Sequence, residues 1–457
     1  MSSAMSATGR TADAGQVVHN ALDRYFQEIR TAARKVEAKR TTAAEISLEL
    51  TEKDASFAAF TEVTDVGLTQ VESRTHILDL MRNPGARTTK TMASLLMIAR
   101  AAAHIRRTGE RVLLFTPTSG NKGTALRDAV ARAHATGLAT PDELRIVMLA
   151  PEASRSKLRD CALTGDQTLR TANPVVLARV EQPADVKRLS SEVVQRHAAE
   201  ILDTTGFRVW YTLDLDNYRI ADAVRAFVEA ELLPITADSA PRVHAHAVSS
   251  AFGLLGYHLG HQLLTEGLPG HAAPARHPGF HLVQQLATAD MVTSLLGTKP
   301  PDYSYDETVG AWRQDVAAEF PAVTDDPQEV IDPTFYTKEP PTRAQVNEII
   351  ARHGGGGIVV SRRECLEHFD RVRALAAAAG IEITADPALI REWSLVKALT
   401  GVLLSRERGL LAPDTEVVVH ASGYYSDELL PALREEHLTR ADTVDDLARA
   451  VLAAAHA

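Results

Sequence analysis

Four short polar clusters interrupt a chain otherwise patterned for strands and helices, and each carries residue types that could do chemistry. The first is Asn83-Pro84-Gly85-Ala86-Arg87-Thr88-Thr89-Lys90, an irregular stretch that stops just before an apolar helix. A lysine held there against a core loses solvation, its pKa falls, and the neutral amine becomes a nucleophile and base. A lysine turned to water at a helix N-terminus is the plainer alternative, although the field there disfavours a cation. The second cluster is Thr118-Ser119-Gly120-Asn121-Lys122-Gly123, between an apolar strand and an amphipathic helix. The first N–H groups of a helix lack intrahelical partners, so such a junction favours an anion. A capped turn explains a lone Ser-Gly-Asn equally simply. It is not a nucleotide P-loop, because Thr116 and Asn121 stand where that motif needs glycine.

The third cluster, Ser249-Ser250-Ala251-Phe252-Gly253, again leads a strand into a helix through small residues. Small residues let a backbone wrap a phosphate at a helix N-terminus, or simply let strand and helix pack closely. The fourth is Ser422-Gly423, after the run TEVVVHA (415–421). A hydroxyl there could bond a buried heterocyclic nitrogen; a Ser-Gly turn is the alternative.

These clusters need a scaffold, and the pattern supplies one. Apolar runs at 112–119, 145–150, 175–182 and 208–213 read as one set of buried strands; 243–250, 280–287, 356–361 and 415–422 read as a second. Helical periods separate them, such as Met92, Leu95, Leu96, Ala99 and Ala102, closed by Arg106, Arg107 and Gly109. Strand–helix alternation predicts parallel sheets covered on both faces, here two three-layer α/β/α domains. Ligands in such folds bind beyond the carboxyl ends of strands, where the polar clusters stand. The organisation expected is a disordered leader over 1–15 and an N-terminal segment over 16–90 that packs on the larger domain. A smaller domain would span 91–220 and a larger one 221–457, with an insertion at about 299–343.

In order and spacing, the clusters resemble the fold-type II pyridoxal-phosphate enzymes, the group of cysteine synthase, threonine dehydratase and threonine synthase. The resemblance runs from about residue 80 to 430. Asn83-Pro84 with Lys90 is similar to the segment bearing the Schiff-base lysine, and Thr118-Ser119-Gly120-Asn121 matches the family loop without change. Within the group the threonine synthase branch looks nearest, through Phe252, Gly253, Gly256 and Tyr257 and, upstream, Asn217, Arg219 and Ile220. The resemblance implies pyridoxal 5'-phosphate in a cleft between two domains, with Lys90 as catalytic residue. Asn121 would hold the cofactor ring, Ser249, Ser250, Ala251, Phe252 and Gly253 its phosphate, and Ser422 its ring nitrogen. Thr118, Ser119 and Gly120 would take the substrate carboxylate. Lys122 departs from the family, which usually has threonine there; its ammonium suits an anionic side group or leaving group, and a lysine turned to solvent or paired with Asp128 is the alternative. No basic side chain is evident beside the phosphate loop. Thr89 and Thr91 replace the usual neighbours of the lysine, which marks a divergent relative. The implied activity is β- or γ-elimination or replacement on an amino acid, by a cytoplasmic homodimer.

Composition narrows the alternatives. The formal charge of −10 argues against nucleic acid as a partner, and no apolar run is long enough for a membrane span. Two distant cysteines, Cys161 and Cys365, fit a reducing compartment and not a metal knuckle. A non-catalytic binding or regulatory protein on the same fold is the first alternative. A histidine-based metal hydrolase is the second: His244 and His246 share a strand face and His258 and His261 a helix face, yet no metal site is expected because no placed carboxylate accompanies them. A dinucleotide dehydrogenase would need a GxGxxG after a strand, and none is present.

Overall fold

A computed structural model describes residues 15–41, 46–48, 50, 53–212, 215–332 and 339–457. Two sheets organise it. The larger has seven strands in the order β1 (Gln16–Val18), β2 (Val66–Glu72), β3 (Thr75–Asp79), β15 (Glu416–Ala421), β8 (Arg242–Ala247), β9 (Gly279–Gln285) and β13 (Gly355–Val360). From β3 to β13 all neighbours are parallel, while β1 and β2 add an antiparallel edge. The smaller sheet is fully parallel, in the order β17 (Leu438–Arg440), β6 (Val175–Ala178), β5 (Leu144–Pro151), β4 (Arg111–Pro117) and β7 (Phe207–Tyr211). The remaining strands are short: β10 (Ser304–Asp306), β11 (Ala311–Arg313) and β12 (Val323–Thr324) form a separate three-stranded sheet, and β14 (Ile390–Glu392) pairs with β16 (Tyr425–Ser426).

The central strands read as unbroken apolar runs because helices cover both faces. All eight residues of β5 are buried. The helix Lys90–Thr108 is buried on nearly its whole circumference, and its alanines let the helix Asn121–Thr136 approach it closely. It ends at Gly109, whose φ of 74° is the left-handed cap expected there.

Both expected sets of strands form, within a few residues of the expected bounds. The differences lie at the carboxyl ends, where Thr118, Ser119 and residues 248–250 leave the strands for turns. Two contributions were not read from the sequence. The N-terminal strands β1 to β3 extend the larger sheet, and β17 with the helix Val444–His456 returns to the smaller one, packing on the helix Asp185–Thr205. Residues 1–14 of the expected leader and 333–338 of the expected insertion lie outside the described residues. No helix among the described residues is long and apolar enough to cross a membrane.

Candidate functional site

Three adjacent parallel strands, β3, β15 and β8, end on one edge of the larger sheet, and the segments that leave them converge. After β3 the chain is knotted by Asn83. Its Oδ1 accepts from the backbone N–H of Ala86 and Arg87, and its Nδ2 donates to the Thr88 carbonyl at 3.1 Å. Thr88 then bridges Gly423, and the Thr89 N–H donates to the Ser422 carbonyl at 2.8 Å. Lys90 follows as the first residue of its helix. Its Nζ lies 4.6 Å from the centroid of the Tyr218 ring. Burial lowers its pKa and Arg225 adds to that, against the opposing pull of Asp222 and Glu392. Ser422 itself is nearly buried and lines the same cavity as Lys90.

The smaller sheet supplies the facing wall. Where β4 ends, Thr118 Oγ1 accepts from the N–H groups of Gly120 and Gly123 at 3.1 and 3.0 Å, which turns the chain into the helix at Asn121. Gly120 sits against Lys157, where a Cβ would come within 2.9 Å of the Lys157 Cβ. Asn121 is locked in orientation, because its Nδ2 donates to Glu392 and its Oδ1 accepts from the Tyr425 hydroxyl at 2.7 Å. Lys122 Nζ donates to the Thr212 carbonyl at 3.0 Å, and the side chain faces the cavity. Burial, with Lys187 and Lys90 nearby, brings its amine to about 7.

After β8 the chain enters the helix Phe252–Thr265 through Ala251, whose φ of 52° and ψ of 22° place it in the left-handed region. The Ser250 carbonyl accepts from Thr342 Oγ1 at 2.5 Å. The residue expected to be missing here is present: the guanidinium of fully buried Arg225 lies against Gly253, 2.6 Å from where a Cβ would stand. Its Nε and Nη2 donate to Asp222 Oδ1 at 2.9 and 2.7 Å, and Nη2 also donates to Thr89 Oγ1 at 2.8 Å.

These walls enclose a cavity of about 440 Å³, within the range of small-molecule and cofactor sites. It brings together Lys90, Thr118, Ser119, Asn121, Lys122, residues 249–253 and Ser422, while Gly120 stands behind the lining. Several lining residues escaped sequence reasoning. Tyr218, Asp222 and Arg225 are spaced by four and three residues, a helix-face signal that was legible in DNYRIADAVR. Glu392, Lys397 and Asp332 carry no such signal, since only tertiary folding joins them. Lys157 Nζ donates to Asp332 Oδ1 at 2.7 Å and Glu392 Oε2 at 2.9 Å, a buried network that ties the two lobes together behind Asn121. Asn217 does not face the cavity; it is buried and hydrogen-bonded to Arg100. No group of three or more His, Cys, Asp or Glu side chains among the described residues is placed to hold a metal.

A family model described as a family of unknown function, DUF6002, matches residues 17–455. No curated protein matches the sequence. Among solved structures, a PLP-bound threonine synthase from Brucella melitensis superposes with a TM-score of 0.54 at 13% identity, covering 94% of this chain and 89% of that one. Threonine synthase from Escherichia coli gives a TM-score of 0.52 at 16% identity, covering 97% and 92%. At such identity the likeness is one of fold, and the fold is that of the fold-type II pyridoxal-phosphate enzymes.

Proposed function

The chain belongs to DUF6002, a family of unknown function, and from that premise we propose that it is a pyridoxal-phosphate-dependent enzyme of elimination or replacement acting on an amino acid with an anionic side group. The observation that carries the reading is the convergence of Lys90, Ser422 and residues 249–253 on one cavity from three adjacent strands, with Asn121 and Lys122 facing them. The residues fit the cofactor. A cavity-facing amine with lowered pKa could serve as its covalent anchor, and Gly253 leaves room for a guanidinium beside the turn that would hold its phosphate.

When bound, the cofactor supplies an electron sink for a carbanion at the substrate α-carbon. The protein supplies the rest. Lys90 would anchor the cofactor, and its freed amine, its pKa lowered by desolvation, would take and return the α-proton. The N–H groups around 251–253 and Arg225 would hold the phosphate, and Asn121, held by Glu392 and Tyr425, would fix the ring plane. Ser422 would face the ring nitrogen; a neutral hydroxyl favours its protonation less than a carboxylate would, which suits loss of a β- or γ-substituent better than transamination. Ser119 and the Thr118–Gly120 turn would take the substrate carboxylate, and Lys122 the anionic side group. The free state of Cys161 and Cys365 supports a cytoplasmic setting, and the resemblance to the family supports a homodimer.

The purified protein is expected to carry the visible absorbance of a lysine-bound cofactor. Borohydride should fix that absorbance to the peptide containing Lys90, and Lys90→Ala should abolish it. Amino acids with anionic side groups should shift the spectrum. A fully loaded protein whose label maps to another lysine would overturn the assignment.

A further inference from the structure

The helix Val224–Leu232 presents Arg225 and Glu229 four residues apart, and two histidines from the larger sheet close a ring between them. Arg225 Nη1 faces His420 Nδ1 at 2.9 Å, His420 Nε2 faces His244 Nδ1 at 2.7 Å, and His244 Nε2 faces Glu229 Oε1 at 3.1 Å. Arg225, His244 and His420 are fully buried and Glu229 nearly so.

The two ends dictate every proton. Arginine has five N–H donors and no acceptor, so His420 Nδ1 must accept. The proton of His420 is then on Nε2 and is donated to His244 Nδ1, which leaves the proton of His244 on Nε2, donated to Glu229. Both imidazoles are neutral and each has one tautomer. The relay needs Glu229 as an ionised acceptor, and it has further donors: Arg242 Nη1 at 2.8 Å and the Tyr257 hydroxyl. Burial pushes its carboxyl up, but the charge of Arg242 and the bonds donated by His244, Arg242 and Tyr257 pull it below the usual carboxylate range.

A carboxylate in the place of His420 would hold the guanidinium equally firmly but cancel more of its charge. Asp222 already offsets part of it. Neutral imidazoles accept the N–H without adding negative charge, and the balancing carboxylate is moved two rings away. The rings themselves are perpendicular, at 89° with centroids 5.0 Å apart, so neither can turn without losing a bond. Donor accounting leaves one Nη1 N–H of Arg225 without an acceptor among the described residues, at a guanidinium that lines the cavity beside Gly253.

We propose that Glu229, His244 and His420 are positioning residues that hold Arg225 as a fixed cation for the phosphate of the cofactor at Ser249–Gly253. The claim rests on the reading of the cavity as a pyridoxal-phosphate site. It makes the protein selective for the phosphorylated vitamer through a side chain as well as through backbone N–H groups. It also couples the cradle to the anchor, since Arg225 bonds Thr89, the neighbour of Lys90.

Titration of the cofactor-free full chain with pyridoxal 5'-phosphate and, separately, with unphosphorylated pyridoxal tests it. His420→Leu removes the acceptor from Nη1, and the Kd for pyridoxal phosphate is expected to rise about tenfold or more, the worth of a hydrogen bond to a charged group. The Kd for pyridoxal should stay within about twofold, because its binding does not use the cation. His420→Asn keeps an acceptor where Nδ1 stood and should recover most of the preference. Arg225→Gln reads the same claim at the cavity wall and serves where His420→Leu fails to fold. Equal weakening for both vitamers, or an unchanged ratio, would overturn the relay as a phosphate device and leave a purely structural network. Absence of any pyridoxal-phosphate signal in the wild type is a different result, and it would overturn the reading of the cavity itself.

Discussion

Lys122 stands among like charges. Its side chain faces the same cavity as Lys90 and Lys187, and among the described residues its amine donates to the Thr212 carbonyl and hydroxyl. Burial and these like charges bring its pKa from 10.5 to about 7, so between those values the folded protein gives up a proton that the unfolded chain keeps. Stability contributed by this site therefore falls as pH drops through that window. Lys122→Met is expected to raise stability by about 1–3 kcal/mol near pH 7, with the gain shrinking towards about pH 10. Urea midpoints at the two pH values check it, and a gain equal at both would point to packing alone. The position of Lys122 was legible because its local motif places it at a strand–helix junction. The spacing of Arg225 with Tyr218 and Asp222 was legible as a helix face, but its bond to His420, 195 residues away, was not, and Glu392, 271 residues from Asn121, carried no local signal at all.

At the scale of elements, the helix Phe252–Thr265 explains a pattern that the sequence showed without its reason. Gly253, Gly256 and Gly260 share one face. A Cβ at Gly256 would come within 2.3 Å of the Asp222 Cβ, and one at Gly260 within 2.4 Å of the Ala223 carbonyl. The glycines therefore let this helix press its backbone on the segment carrying Tyr218, Asp222 and Arg225, and so bring the turn at 249–253 and the guanidinium together. Gly256, one of the residues that carry the family resemblance, packs directly on Asp222. Gly260→Ala, too far along the helix to touch the cavity, should cost about 1–3 kcal/mol through overpacking, read as a lower urea midpoint with an unchanged slope. An unaltered midpoint would mean that the two helices can separate freely. The antiparallel edge β1 to β3 was missed for a related reason: β3, THILD, is short, and β1 has only three residues, so neither gives a lasting alternation.

Across the whole molecule, the chain closes on itself. Residues 438–457 supply an edge strand to the smaller sheet and a helix whose Leu447, Ala448, Val451, Ala454 and Ala455 are buried in its core. Arg145 ties that helix down by donating to the Ala454 carbonyl at 2.8 Å. Burial of Leu447 and Val451 alone contributes about 3 kcal/mol or more, a large part of a net stability of about 5–15 kcal/mol. Removal of residues 438–457 is expected to expose β6 and leave the smaller lobe open to protease while the larger resists, as limited proteolysis with mass spectrometry would show. Equal resistance of both lobes would refute this. The alternation of strand and helix made the two sheets legible, but the return of residues 438–457 to the smaller sheet depends on contacts no local pattern encodes. The distribution of the cavity over two sheets has an evolutionary consequence. Positions 90, 249–253 and 422 hang from neighbouring strands of one sheet, whereas 118–122 hang from the other. Substitution at 118, 119 or 122 can therefore reshape one wall of the cavity while the strands that carry 90, 249–253 and 422 keep their register.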